Sequence, residues 1–146
     1  MAEKIKEGSM TKSVIGLLGV GIALGMIGSQ VLSAQQTPPT KAKGQTTKTI
    51  ASLDVGPQIP ELQGRYLRMR VTTVEPGGHG AVHSHKDRPT TVYILQGTQT
   101  SCSPDGKCEE FHEGQARAEG KDVTHWGENR GTSPLVSLVV EISKEP

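Results

Sequence analysis

Beyond residue 34 no stretch of this 146-residue chain carries a helical period, while from Thr49 onward short β-rich runs alternate with turn residues. Eighteen glycines and nine prolines supply the turns. With aromatic residues at only 3%, the core has to be built from Val, Ile and Leu. Such a pattern closes on itself as an antiparallel sandwich or barrel, so the expected class is all-β. Residues 66–74 read as one strand, with Leu67, Met69, Val71 and Thr73 on one face and Arg68 and Arg70 on the other, broken by Pro76-Gly77-Gly78. Residues 91–95 read as another, ended by Gly97. Residues 134–142 form the most apolar run after the N-terminal region and are expected as a central strand buried on both faces.

Two histidine clusters lie in these strands, forty residues apart. The first is Gly77-Gly78-His79-Gly80-Ala81-Val82-His83-Ser84-His85, and the second begins at Gly114 and reaches His125. Side chains alternate faces along a strand, so His83 and His85 point the same way. His125 on a neighbouring strand closes a facial three-nitrogen site for a divalent metal. His79 and His112 fall outside this pattern and are expected to bond a backbone carbonyl, pack, or sit in solvent.

The spacing resembles the cupin superfamily. Its first motif is Gly, five residues, His-x-His, three or four residues, Glu, six residues, Gly; Gly77, His83, His85 and Gly97 fall on it, and Thr90 occupies the glutamate place. Its second is Gly, five residues, Pro-x-Gly, two residues, His, three residues, Asn. Gly114, His125 and Asn129 match, while Gly120 stands for the proline and Asp122 for the glycine. Seven of the ten positions fit, over about residues 50–143. The resemblance implies a double-stranded β-helix, or jelly-roll barrel, over residues 49–146, with His83, His85 and His125 as metal ligands. In metal-binding members the glutamate usually faces the same ion. A threonine is a poor ligand, so the site is left with three neutral nitrogens and open positions, as a catalytic site keeps. Asp87, Glu119 and Glu128 are the other candidate oxygen donors. Homodimers are common in the family, which implies one here.

The N-terminal 34 residues have a different character. Residues 14–34 are apolar and uncharged after Lys4, Lys6 and Lys12, so the N-terminus is expected to stay cytoplasmic while the rest crosses the membrane. Two readings stand: a cleaved signal peptide using the small residues near Ser33 and Ala34, or a retained anchor helix, since about 20 residues span a bilayer. Gly21 and Gly25 add a small-xxx-small spacing suited to close helix packing in lipid. Either way the domain is expected outside the cytoplasm, periplasmic if bacterial. Residues 35–48 are polar and proline-containing and read as a flexible linker.

The only cysteines, Cys102 and Cys108, flank Ser103-Pro104-Asp105-Gly106-Lys107, a sequence suited to a type I turn followed by a glycine bulge. That hairpin sets them opposite one another, and an oxidising compartment then favours a disulfide.

After residue 34 the chain carries 13 basic and 13 acidic residues with no basic cluster interleaved by aromatics, which excludes a nucleic-acid partner. The remaining reading is a metal site holding Fe, Cu, Mn or Zn beside a small-molecule ligand. As an enzyme it would be an oxidoreductase or isomerase, with Glu119, Glu128 or Tyr93 as candidate acid or base. Tyr66, Met69, Tyr93 and Trp126 are the bulky candidates for cavity walls, and Arg70 or Arg88 for an anionic substrate. A metal or ligand carrier without turnover, and an accessory subunit of a membrane complex, are the alternatives.

Overall fold

The structure is a computed structural model that describes residues 36–146. The hydrophobic segment 14–34, with its choice between signal and anchor helix, lies outside the described residues. Nine strands follow in order: β1 (Lys43–Asp54), β2 (Tyr66–His79), β3 (His83–Ser84), β4 (Thr90–Gln96), β5 (Thr98–Cys102), β6 (Cys108–His112), β7 (Ala116–Glu119), β8 (Thr124–Glu128) and β9 (Leu135–Ser143). Among the described residues the only helical element is a single 3-10 turn, Pro60–Leu62. The strands form one sheet in the order β6-β5-β8-β2-β9-β4-β7, with β1 on β2 and β3 on β8, every pairing antiparallel. The sheet curls into a nearly closed all-β barrel, as expected.

Strand β9 shows how the barrel is filled. It lies between β2 and β4, the central place its apolar composition predicts. Its burial alternates, however: Leu135, Ser137, Val139, Glu141 and Ser143 are buried, and Val136, Leu138, Val140 and Ile142 on the other face are half-buried. Strand β2 has the two faces expected of it. Arg68 is buried while Leu67 is 41% exposed, so the arginine face turns inward and the apolar face outward. The cause is a polar interior, in which Glu141 accepts from Arg68 Nε at 2.9 Å and Nη2 at 2.7 Å and from Arg70 Nη2 at 3.0 Å. Buried charges persist only when paired and hydrogen-bonded, and here they are. The apolar core is a smaller cluster of Val74, Val92, Ile94, Leu135 and Val139, with Phe111 packed against it.

Two further expectations change. The sequence Pro76-Gly77-Gly78 does not end β2, which continues to His79 by way of Gly77 at φ +70°. Asn129 clamps this kink, donating from Nδ2 to Val74 O at 2.8 Å and accepting at its backbone carbonyl from Gly77 N at 2.9 Å. The segment expected as a free linker is taken into the domain from Gln36 onward. Gln36 Nε2 donates to Glu128 at 2.6 Å, Pro39 O accepts from Val82 N at 2.7 Å, and Lys43–Lys48 form the first half of β1. Its alternate residues pair with the polar half of β2, Thr47 Oγ1 lying 3.2 Å from Thr72 Oγ1, so no apolar pattern was needed to make it a strand.

The hairpin between β5 and β6 forms as its turn residues require. Ser103 N donates to Lys107 O and Gly106 N to Ser103 O, and Cys102 and Cys108 stand opposite each other, joined by a disulfide. Closing so short a loop stabilises the fold by about 2 kcal/mol in the chain-entropy account.

Candidate metal centre

The three motif histidines meet inside the barrel. His83 and His85 leave β3 on one face, and β3 pairs with β8 so that His83 is directly opposite His125. His85 Nε2 lies 3.0 Å from His83 Nε2 and 3.0 Å from His125 Nε2, with His85 and His125 buried. Each ring is fixed from behind through Nδ1. That of His83 faces Ala81 O at 2.9 Å, that of His85 faces Arg88 O at 3.1 Å and Thr90 Oγ1 at 3.0 Å, and that of His125 faces Ser101 Oγ at 2.8 Å.

These partners assign the protons. A carbonyl only accepts, so Nδ1 of His83 and of His85 carries the hydrogen and both Nε2 atoms present lone pairs. Two lone pairs then face each other at 3.0 Å with no hydrogen between them. Protonating a ring would relieve the contact, but burial lowers the pKa of His83 and His85 and takes His125 down to about 3, where Arg117 and the other imidazoles add to the effect. A cation relieves it without that cost. Metal-ligating histidines characteristically hold their second nitrogen on a carbonyl or a carboxylate, and this donor set fits a divalent ion.

Thr90, at the family's glutamate place, lies in the inward row but turns no oxygen toward the shared Nε2 centre. Its hydroxyl donates to Arg88 O at 2.9 Å and accepts from His85 Nδ1, so it orients a ligand from the far side. Glu119 is the carboxylate that reaches the histidines. It is only 5% exposed, with Oε2 3.1 Å from His85 Nε2 and Oε1 3.1 Å from His125 Nε2. Arg117 Nη2 lies 2.6 Å from Oε1, yet the pair is poorly aligned and Oε1 takes no hydrogen bond. Burial raises the Glu119 pKa, against the pull of Arg117.

The other candidates lie elsewhere. Glu128 accepts from Trp126 Nε1 at 2.5 Å and from Arg130 Nε at 2.7 Å; burial opposes its ionisation, but these bonds hold its pKa below the usual range. It serves β8 and the N-terminal segment, away from the cavity. Tyr93 is on the outer face of β4 and 43% exposed. Asp87 is at the surface near Lys144. Trp126 is fully buried on the face opposite His125 and Met69 is on the outward side of β2, while Tyr66 is on the Arg68 face at the start of the strand, beyond the residues that line the cavity. None of the four bulky candidates walls the cavity. His79 Nδ1 lies 3.2 Å from Gly80 O and His112 Nδ1 3.1 Å from Thr98 Oγ1, as expected of uninvolved histidines.

The cavity beside the histidines measures about 280 Å3. Arg70, Arg88, Arg117, Gln99, Val92 and Val139 are among its walls, so both arginines expected near a substrate do face it. A more open groove of about 700 Å3, running from the disulfide hairpin, shares Arg117, Glu119 and His125 with it. Ser101, Arg117 and Glu141 were missed from sequence. Each enters by cross-strand register, for which the chain offers no local signal.

Residues 70–141 match the family described as Cupin domain. Solved structures share the fold. The polyketide cyclase RemF of Streptomyces resistomycificus is 24% identical, with TM-score 0.57 over 75% of this chain and 72% of that one. An uncharacterized Klebsiella pneumoniae protein with a double-stranded β-helix domain is 15% identical, with TM-score 0.57 over 75% and 84%. A cupin domain from Bordetella pertussis is 17% identical, with TM-score 0.54 over 74% and 98%. No curated protein matches the sequence.

Proposed function

Because the chain belongs to the cupin superfamily, we propose that it holds a divalent metal on His83, His85 and His125 and acts on a small molecule by oxygen insertion or isomerisation. One observation carries the reading: three imidazoles converge through their Nε2 atoms, those of His83 and His85 bare, while every Nδ1 is bonded from behind. A bound ion supplies Lewis acidity and, for iron or copper, redox chemistry. The protein's own part is to shape and charge the cavity. Glu119 brings a carboxylate to the cavity, while Arg70 and Arg88 favour an anionic group. At about 280 Å3, roughly nine waters' worth of space, the cavity suits a small polar molecule.

The domain acts outside the cytoplasm, tethered or released; the apolar segment 14–34 behind Lys4, Lys6 and Lys12 supports this, and so does the disulfide. It works as a homodimer. The outward faces of β2, β9 and β4 carry Leu67, Val71, Leu138, Val140, Tyr93 and Leu95 without a charge among them, the composition of an obligate interface core.

The test is elemental analysis of protein isolated from its native compartment, beside a His83→Ala/His125→Ala variant. Near-stoichiometric metal lost in the variant supports the reading, and its identity selects the assays. Metal without turnover of any small molecule makes the protein a carrier, and absence of metal from the native protein overturns the proposal.

A further inference from the structure

We propose that Glu119 is the fourth protein ligand of the metal site, supplying from a neighbouring strand the carboxylate that Thr90 lacks; this rests on the metal-binding reading above. Thr90 is flanked in register by Glu119 on β7 and Glu141 on β9, so one inward row reads Glu119–Thr90–Glu141. Directly opposed residues stand about 5 Å apart at Cβ, a step that a glutamate side chain covers. The carboxylate has therefore moved sideways by one strand.

Of the two flanking carboxylates only Glu119 is free to serve. Glu141 is saturated, both its oxygens accepting from Arg68 and Arg70. Glu119 Oε1 is buried and takes no hydrogen bond. Its two oxygens stand 3.1 Å from His85 Nε2 and His125 Nε2, and His85 Nε2 has no hydrogen to offer. Bonds of about 2.1 Å at right angles hold neighbouring ligands about 3.0 Å apart. The two nitrogen pairs at 3.0 Å and the two nitrogen–oxygen pairs at 3.1 Å all meet that spacing. Arg117 Nη2, 2.6 Å from Oε1, holds the carboxylate by charge and leaves Oε1 without a hydrogen bond. The rival role is simple counter-ion to Arg117, and it leaves the approach of Oε2 to the bare His85 Nε2 unexplained.

The experiment is Co2+ titration of the metal-free full chain, read by visible absorption and by competition with a chelator. The wild type is expected to bind, Glu119→Gln to bind at least about ten-fold more weakly with a changed absorption band, and Glu128→Gln to behave as wild type. Circular dichroism checks each fold. A Glu119→Gln variant that is folded and binds with unchanged affinity and spectrum reduces Glu119 to a counter-ion and overturns the inference alone. If that variant does not fold, the infrared difference between Zn2+-loaded and metal-free wild type decides: shifted carboxylate stretches support ligation, and unshifted ones overturn it. Loss of Co2+ in His83→Ala/His125→Ala keeps the two questions separate. Failure of the wild type to bind Co2+ overturns the metal reading and this inference together.

Discussion

Thr90 on β4 and Glu119 on β7 are paired directly across the sheet, one holding a histidine from behind and the other facing it from the front. On the proposed metal reading, the pair splits the orienting of a ligand and the supply of a carboxylate between two neighbouring strands.

If Thr90 and Ser101 orient His85 and His125, removing either hydroxyl should weaken metal binding and spare the fold. Thr90→Val and Ser101→Ala are each expected to lose about ten- to a hundred-fold in metal affinity, as outer-layer substitutions do. Chelator competition measures this, and unchanged affinity in both would show that the hydroxyls merely pack.

The metal-free protein should weaken in mild acid. Burial holds His83 and His85 below their ordinary pKa and His125 at about 3. On unfolding these rings take up protons below about pH 6.5, so the unfolded state binds more protons and stability falls between about 6.5 and 3. Glu119 runs the other way, since burial raises its pKa and the folded state gains protons in the carboxylate range. Three rings outweigh one carboxylate. Urea midpoints of metal-free protein should therefore drop across that window, and His125→Gln should flatten the drop.

How much of this was legible in the sequence follows the range of each signal. The His83-x-His85 spacing and the Cys102–Cys108 hairpin are local, set by the two-residue strand period and by turn chemistry, and both stand as read. Which face of β2 turns inward is not local. The alternation separates Leu67 and Met69 from Arg68 and Arg70 without saying which pair faces in, and Arg68 is drawn inside by Glu141, seventy-three residues away. Glu119 and Tyr93 were equal candidates on paper. Only the β4–β7 register separates them, turning Glu119 to the histidines and Tyr93 to the outside.

The buried ion cluster should be costly to open. Glu141 has a side chain with no exposure and accepts from two arginines, so Glu141→Ala leaves Arg70 without its carboxylate and Arg68 with only Pro146 O and the exposed Glu145 as partners. A loss of about 3–5 kcal/mol is expected. Chemical denaturation reads it, and a loss below about 1 kcal/mol would mean that the arginines find water instead.

A homodimer built on the outer apolar face should yield to charge. Leu67 and Tyr93 are 41% and 43% exposed, so Leu67→Glu/Tyr93→Glu is tolerated by the monomer fold. Sedimentation should show a dimer converted to monomer with little change in Tm. A wild type already monomeric at micromolar concentration would contradict the interface.

The most direct measurement is an anomalous-difference map, at the absorption edge of the native metal, from a crystal of protein purified without added metal. The account predicts one strong peak within about 2.1 Å of the Nε2 atoms of His83, His85 and His125. A map with no peak among those three atoms, at a resolution that orders their rings, would contradict it.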